Sequence, residues 1–153
     1  MNSRWHRSCY LQWLMLNVDP VDRDKEGRWI VVADGDENAG SLLAGYLVHQ
    51  RFRAYPTRRG TEALRIARAH PLGLAVVDVV LEDMAGRDLI RLLRGLVPEL
   101  PVVMTSGDVR PEVEVEARQL GLVQYLHKPF DFRRLEAVAA RTLATRPSRE
   151  VTP

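Results

Sequence analysis

The chain contains a single cysteine, Cys9, which excludes an intrachain disulfide and a multi-thiolate zinc site. One free thiol fits a reducing compartment. Lysine is almost as scarce. Lys25 and Lys128 are the only two, and arginine supplies the remaining basic charge. No apolar run reaches the length that crosses a bilayer, so no membrane span is expected. Internal repeats and low-complexity tracts are missing, which removes solenoid and tract-based readings. There is no large excess of either charge. Lys+Arg 22 against Asp+Glu 20 leaves +2, too little to point to nucleic acid by itself.

What remains is a chain of 153 residues, 46% hydrophobic and 27% charged, the balance of one globular domain with short tails. The N-terminus carries Arg4, His6 and Arg7, then an apolar stretch from Cys9 to Val18. This loosely resembles a signal peptide, but Gln12 and Asn17 interrupt it and no small-residue cleavage site follows. Residues 1–27 are read as a poorly ordered extension, with Met15 as an alternative start. Trp5, Tyr10, Leu11, Trp13 and Leu14 form a weaker candidate for a partner-binding segment. The ordered domain is expected over 28–144, and the tail 145–153 is expected to be disordered.

Between those tails, short apolar runs alternate with helical patterns. Trp29–Ala33 is apolar throughout, as in a strand buried on both faces. Leu42, Leu43, Tyr46 and Leu47 recur at helical spacing up to about His49. Arg53–Thr57 is a second strand candidate, weakened by Pro56. A helix over Thr61–Ala69 leads to a strand at Leu74–Val77. Leu89, Ile90, Leu93 and Leu96 mark a helix after Gly86, before a strand at Pro101–Met104. Pro111 suits the first turn of a helix towards Gln119, although Val113-Glu114-Val115-Glu116 also alternates like a strand. Val123–Leu126 is the fifth strand. Asp131 can cap a last helix carrying Leu135, Val138, Ala139 and Leu143. Strand–helix alternation implies a doubly wound parallel sheet, whose ligands bind at the C-terminal strand ends.

Those ends carry chemistry. Strand one stops at Asp34 and Asp36 with Glu37 close by, strand three at Asp78, strand four at Thr105 and Ser106, strand five at Lys128. Clustered carboxylates suit a hard cation such as Mg²⁺. A carboxylate nucleophile, a lysine, a hydroxyl and a divalent cation together suit phosphoryl transfer to an aspartate. No G-x-x-x-x-G-K-[ST], G-x-G-x-x-G or G-x-S-x-G segment is present, so those nucleotide-binding and hydrolase readings have no support. His49, His70 and His127 show no metal-ligand spacing.

The motifs Ile30–Asp34 with Asp36-Glu37-Asn38, Val76-Val77-Asp78, Met84-Ala85-Gly86, Pro101–Gly107 and Tyr125–Phe130 resemble the receiver domain of two-component response regulators. The likeness runs from about Arg28 to about Leu143. It implies a flavodoxin-like α/β fold with a five-stranded parallel sheet in the order 2-1-3-4-5. It implies Asp78 as phosphoacceptor and Ser106 and Lys128 as phosphoryl-stabilising groups. The implied Mg²⁺ ligands are Asp34, Asp36, Asp78 and the Val80 backbone carbonyl, with Glu37 as a further candidate. Ser106 and Tyr125 fall at the switch positions, and Pro129 at a position that is commonly cis. Two departures stand out. The second of two adjacent acids is Gly35 here, which weakens the expected metal site, and Glu82 stands where a proline is usual.

The expected function is therefore a stand-alone, cytoplasmic receiver. It would take a phosphoryl group from a histidine kinase or phosphotransfer protein and signal through a downstream protein partner. Its catalysis would be limited to its own phosphorylation and dephosphorylation. A pseudo-receiver that binds proteins without phosphate is the alternative, and Gly35 is the feature favouring it. The basic stretch with Arg51, Arg53, Arg58 and Arg59 beside Phe52 and Tyr55 is read as a solvated edge rather than a DNA-binding surface.

Overall fold

The computed structural model describes residues 28–144. The N-terminal segment 1–27, with its candidate partner-binding aromatics, and the tail 145–153 lie outside the described residues. Five strands alternate with five helices: β1 Trp29–Ala33, α1 Glu37–His49, β2 Ala54–Thr57, α2 Gly60–Ala69, β3 Leu72–Asp78, α3 Gly86–Leu96, β4 Val102–Ser106, α4 Pro111–Arg118, β5 Gln124–His127 and α5 Phe132–Ala144. All strand pairings are parallel and the order is β2-β1-β3-β4-β5, the flavodoxin-like receiver arrangement.

Strand periodicity divides the core in two. Val31 and Ala33 face one side with Ala75, Val77, Val102 and Met104, beneath α2, α3 and α4. Ile30 and Val32 face the other with Leu74, Val76 and Val103, beneath α1 and α5. Every residue of β3 is buried, which explains its unbroken apolar sequence up to Asp78. Pro56 is tolerated because β2 is an edge strand, paired on one side only. Residues 111–118 are helical, not extended. Pro111 opens α4, and Ala117 is its one buried residue. Asp131 accepts from the Arg133 N–H at 2.9 Å, so the expected cap of α5 is made.

Two helix starts matter for the site. Asp36 caps α1 by accepting from the Asn38 and Ala39 N–H groups at 2.9 and 3.3 Å. Helix α2 takes no cap from its own preceding residue. Asp83, in the β3–α3 loop, accepts instead from the Gly60 and Thr61 N–H groups at 2.7 and 3.1 Å. Burial raises the Asp83 carboxyl, but these backbone bonds outweigh it and hold it below the usual carboxylate range. At Gly86 a Cβ would sit 2.1 Å from the Asp78 carbonyl oxygen, so only glycine lets α3 start that close to the end of β3.

Candidate functional site

The parallel order brings the ends of β1, β3, β4 and β5 to one rim. Asp34, Asp78, Thr105 and Ser106 are buried polar residues there. Lys128 follows β5 directly. Its Nζ donates to Asp34 Oδ2 at 2.6 Å and touches Asp78 Oδ2. Two buried carboxylates thus share one ammonium. Each has a second oxygen fixed by backbone: Asp34 Oδ1 accepts from the Asp36 N–H and Asp78 Oδ1 from the Val80 N–H, both at 2.9 Å. An anion pair this deep is tolerable only with such partners.

Burial pushes the Asp34 carboxyl above the usual carboxylate range. The neighbouring Asp78 charge adds to that, and the bonds from Lys128 and Asp36 only partly offset it. Burial alone would lower the Lys128 ammonium. Its bonds to Asp34 and Asp78 prevail and hold it above its ordinary value, so it stays charged at neutral pH. With one carboxylate more than it has cations, the inner pocket is anionic overall.

The hydroxyls divide differently. β3 and β4 pair Asp78 with Thr105, and the Thr105 Oγ1 donates to Asp78 Oδ2 at 3.4 Å. Ser106 instead turns to the β4–α4 loop, where its Oγ accepts from the Asp108 N–H at 2.9 Å. Tyr125 lies inside the core with 5% exposure, and its hydroxyl has no hydrogen-bond partner. Its ring meets that of His127 edge-on at 5.1 Å, and His127 Nε2 lies 2.9 Å from Glu114 Oε2 on α4. The Lys128–Pro129 peptide is cis.

Not every expected metal ligand converges. Asp36 is engaged in capping α1, and Glu37 pairs with Arg58 at 3.5 Å. Gly35 offers no side chain, and a Cβ there would stand 3.0 Å from the Val80 carbonyl oxygen. Among the described residues no three His, Cys, Asp or Glu side chains come together around a possible metal position. The oxygen donors are of the kind Mg²⁺ prefers, but in this arrangement they are committed to other partners. Lys128 already bridges the two inward carboxylates, and the remaining acids have other partners.

Four residues have contacts at the site that the sequence reading did not assign. Thr105 was one of two adjacent hydroxyls, and only the strand register shows which one lies beside Asp78. Asp83 was not singled out. Arg58 and Arg59 were read as a solvated edge, yet both reach Glu82, with Arg58 Nε 3.5 Å from Oε2 and Arg59 Nη2 2.7 Å from Oε1.

Comparison with known proteins identifies the family. Residues 30–140 match the response regulator receiver domain family. The nitrogen assimilation regulatory protein NtrX of Azorhizobium caulinodans is 32% identical over 118 residues, which cover 76% of this chain and 26% of that protein. The crystal structure of the receiver domain of NtrX from Brucella abortus is 31% identical with a TM-score of 0.70, covering 76% of this chain and 99% of that one. A CheY-like receiver domain from Methanospirillum hungatei superposes with a TM-score of 0.70 at 23% identity, covering 78% of this chain and 95% of that one, and shows the shared fold. The chain belongs to the response regulator receiver domains of two-component signalling. It spans about a quarter of the length of the curated relatives it matches. Receiver domains work by phosphorylation-based signalling with histidine kinases and downstream partners, and they generally bind Mg²⁺ at the acidic pocket. Among the described residues no helix is long and apolar enough to cross a membrane.

Proposed function

We propose that Asp78 accepts a phosphoryl group from a histidine kinase or phosphotransfer protein, and that the phosphorylated domain signals through a protein partner in the cytoplasm. The observation that carries this reading is the Lys128 ammonium held between two buried carboxylates, Asp34 and Asp78, at adjoining strand ends. A carboxylate oxygen of Asp78 attacks phosphorus in line. The P–N bond to the donor histidine breaks and its electron pair returns to the imidazole, leaving an acyl phosphate on Asp78. Lys128 is placed to exchange a carboxylate contact for a phosphoryl oxygen as negative charge builds. Thr105 and the Val80 N–H orient the attacking carboxylate.

Ser106 has to leave its contact with Asp108 to reach a phosphoryl oxygen. That rotation and the buried Tyr125 ring are the proposed switch, coupling charge at Asp78 to the α4–β5 face. Mg²⁺ binding is expected to be weak because Gly35 supplies no ligand, and no step above is assigned to the metal. Direct DNA binding is not part of the proposal. Arg58 and Arg59 are paired with acids, and Arg53 lies over the Trp29 ring at 5.7 Å.

Gly35 is the one feature favouring a phosphate-independent pseudo-receiver. Incubation with acetyl phosphate and Mg²⁺, followed by intact mass measurement, separates the two. The expected result is one added phosphoryl group on the wild type and none on Asp78→Asn. An unmodified wild type would remove the phosphoacceptor reading and leave the pseudo-receiver.

A further inference from the structure

Arg58 follows Thr57, whose carbonyl accepts from the Asp34 N–H at 2.9 Å, and its own carbonyl accepts from the Glu82 N–H at 3.0 Å. Its guanidinium lies 3.5 Å from Glu37 Oε2 and 3.5 Å from Glu82 Oε2. Glu37 opens α1 just past Asp34, and Glu82 lies just past Asp78 in the β3–α3 loop. One side chain therefore ties together the two loops that carry the buried carboxylates. Between those loops the backbone is tight. A Cβ on Gly35 would stand 3.0 Å from the Val80 carbonyl oxygen, so a third acid there requires the Val80 loop to give way.

These two facts are complementary. The pocket has no acid at Gly35, and both extra acids at its mouth, Glu37 and Glu82, already have an arginine partner. Both sides of each pair are part-exposed, with side-chain exposures of 39% for Arg58, 34% for Glu37 and 38% for Glu82. Such pairs stabilise a fold little and exchange readily with ions from solvent. A fixed positive charge at the mouth of an anionic pocket nevertheless opposes the entry of a divalent cation, and it does so more strongly at low salt.

We propose that Arg58 is a built-in counter-ion of the pocket mouth, which competes with divalent cations for Glu37 and Glu82 and keeps the resting pocket weakly metal-binding. Lys128 does the same on the inner pair. The inference uses the acid pocket of the proposed function but does not need Asp78 to be phosphorylated.

The test is Mn²⁺ binding to the full, unphosphorylated chain, with the free ion counted by electron paramagnetic resonance. Arg58→Gln should bind Mn²⁺ about three- to tenfold tighter than wild type at low salt, and the gain should shrink as KCl is added. Glu37→Gln in the Arg58→Gln background should lose part of the gain. Arg58→Lys, which keeps the charge, should stay near wild type, and it serves as the comparison if Arg58→Gln melts early. Arg59→Gln should show the smaller effect, because Arg59 meets only Glu82. Unchanged or weaker binding by Arg58→Gln overturns the proposal, as does an equal gain from Arg59→Gln or no binding by any variant. If Arg58→Gln tightens Mn²⁺ while acetyl phosphate never labels Asp78, the phosphoacceptor reading fails and this one stands. Labelling of Asp78 with unchanged Mn²⁺ affinity gives the reverse.

Discussion

Asp34 is buried beside a second carboxylate and is held above the usual carboxylate range despite its bond to Lys128. An acid raised on folding takes up a proton between its unfolded and folded values. Its favourable contribution is full below the unfolded value and is lost as pH rises through the folded one. Keeping Asp34 ionised at neutral pH therefore works against the fold. Asp34→Asn should stabilise the domain at pH 7 by about 1 kcal/mol, since Lys128 and Asp78 remain as a neutral pair. The gap between variant and wild type should narrow on acidification, as the wild-type Asp34 gains its proton. Urea midpoints at several pH values read this directly, and a less stable variant at pH 7 or a pH-independent gap would contradict it. At this scale the sequence was only partly legible. Asp34 and Asp78 stood out because each ends an apolar run, and Lys128 because it follows the last strand. Asp36 did not reveal that its side chain caps α1, because an acid one residue past a loop glycine reads equally as a ligand or a cap. Thr105 was hidden by its neighbour Ser106. Two hydroxyls in succession point to opposite faces of a strand, and nothing local says which face holds Asp78.

The elements themselves were easier to read where burial is two-sided. β1, β3 and β4 are central strands, so their apolar runs have no polar face to confuse the period. Helix α4 was ambiguous for the opposite reason. With only Ala117 buried, its sequence carries almost no core stripe, and the Val–Glu alternation imitates a strand. Its helical state rests instead on Pro111 at the first turn and on Glu114, which receives Arg118 at 2.8 Å one turn later. Glycines at element starts give a sharper test. Gly86→Ala would press a methyl against the Asp78 carbonyl and should destabilise by about 3 kcal/mol or more, since backbone rather than a flexible side chain must move. Gly45→Ala, inside α1 with open space around it, should stabilise by about 0.5–1 kcal/mol through helix propensity alone. Thermal unfolding of both variants decides the matter. Similar midpoints for the two would mean that the β3–α3 junction is not as tight as drawn.

At the scale of the molecule, strand order does the gathering. Asp34 and Lys128 are separated by most of the domain in sequence, yet β1 and β5 end on the same rim because every crossover returns in parallel. The two core layers back the sheet behind that rim from both sides. The near-neutral charge sum hides the arrangement that matters: a lysine inside an acid pair, and arginines on the acids at its mouth. The function proposed for the site depends on Asp78 as the group that takes up phosphate. Treatment with acetyl phosphate, reduction with borohydride and peptide sequencing by mass spectrometry locate an acyl phosphate by converting its aspartate to homoserine. Homoserine at position 78 alone is the expected result. Homoserine at Asp34 or another acid, or none anywhere, would contradict it.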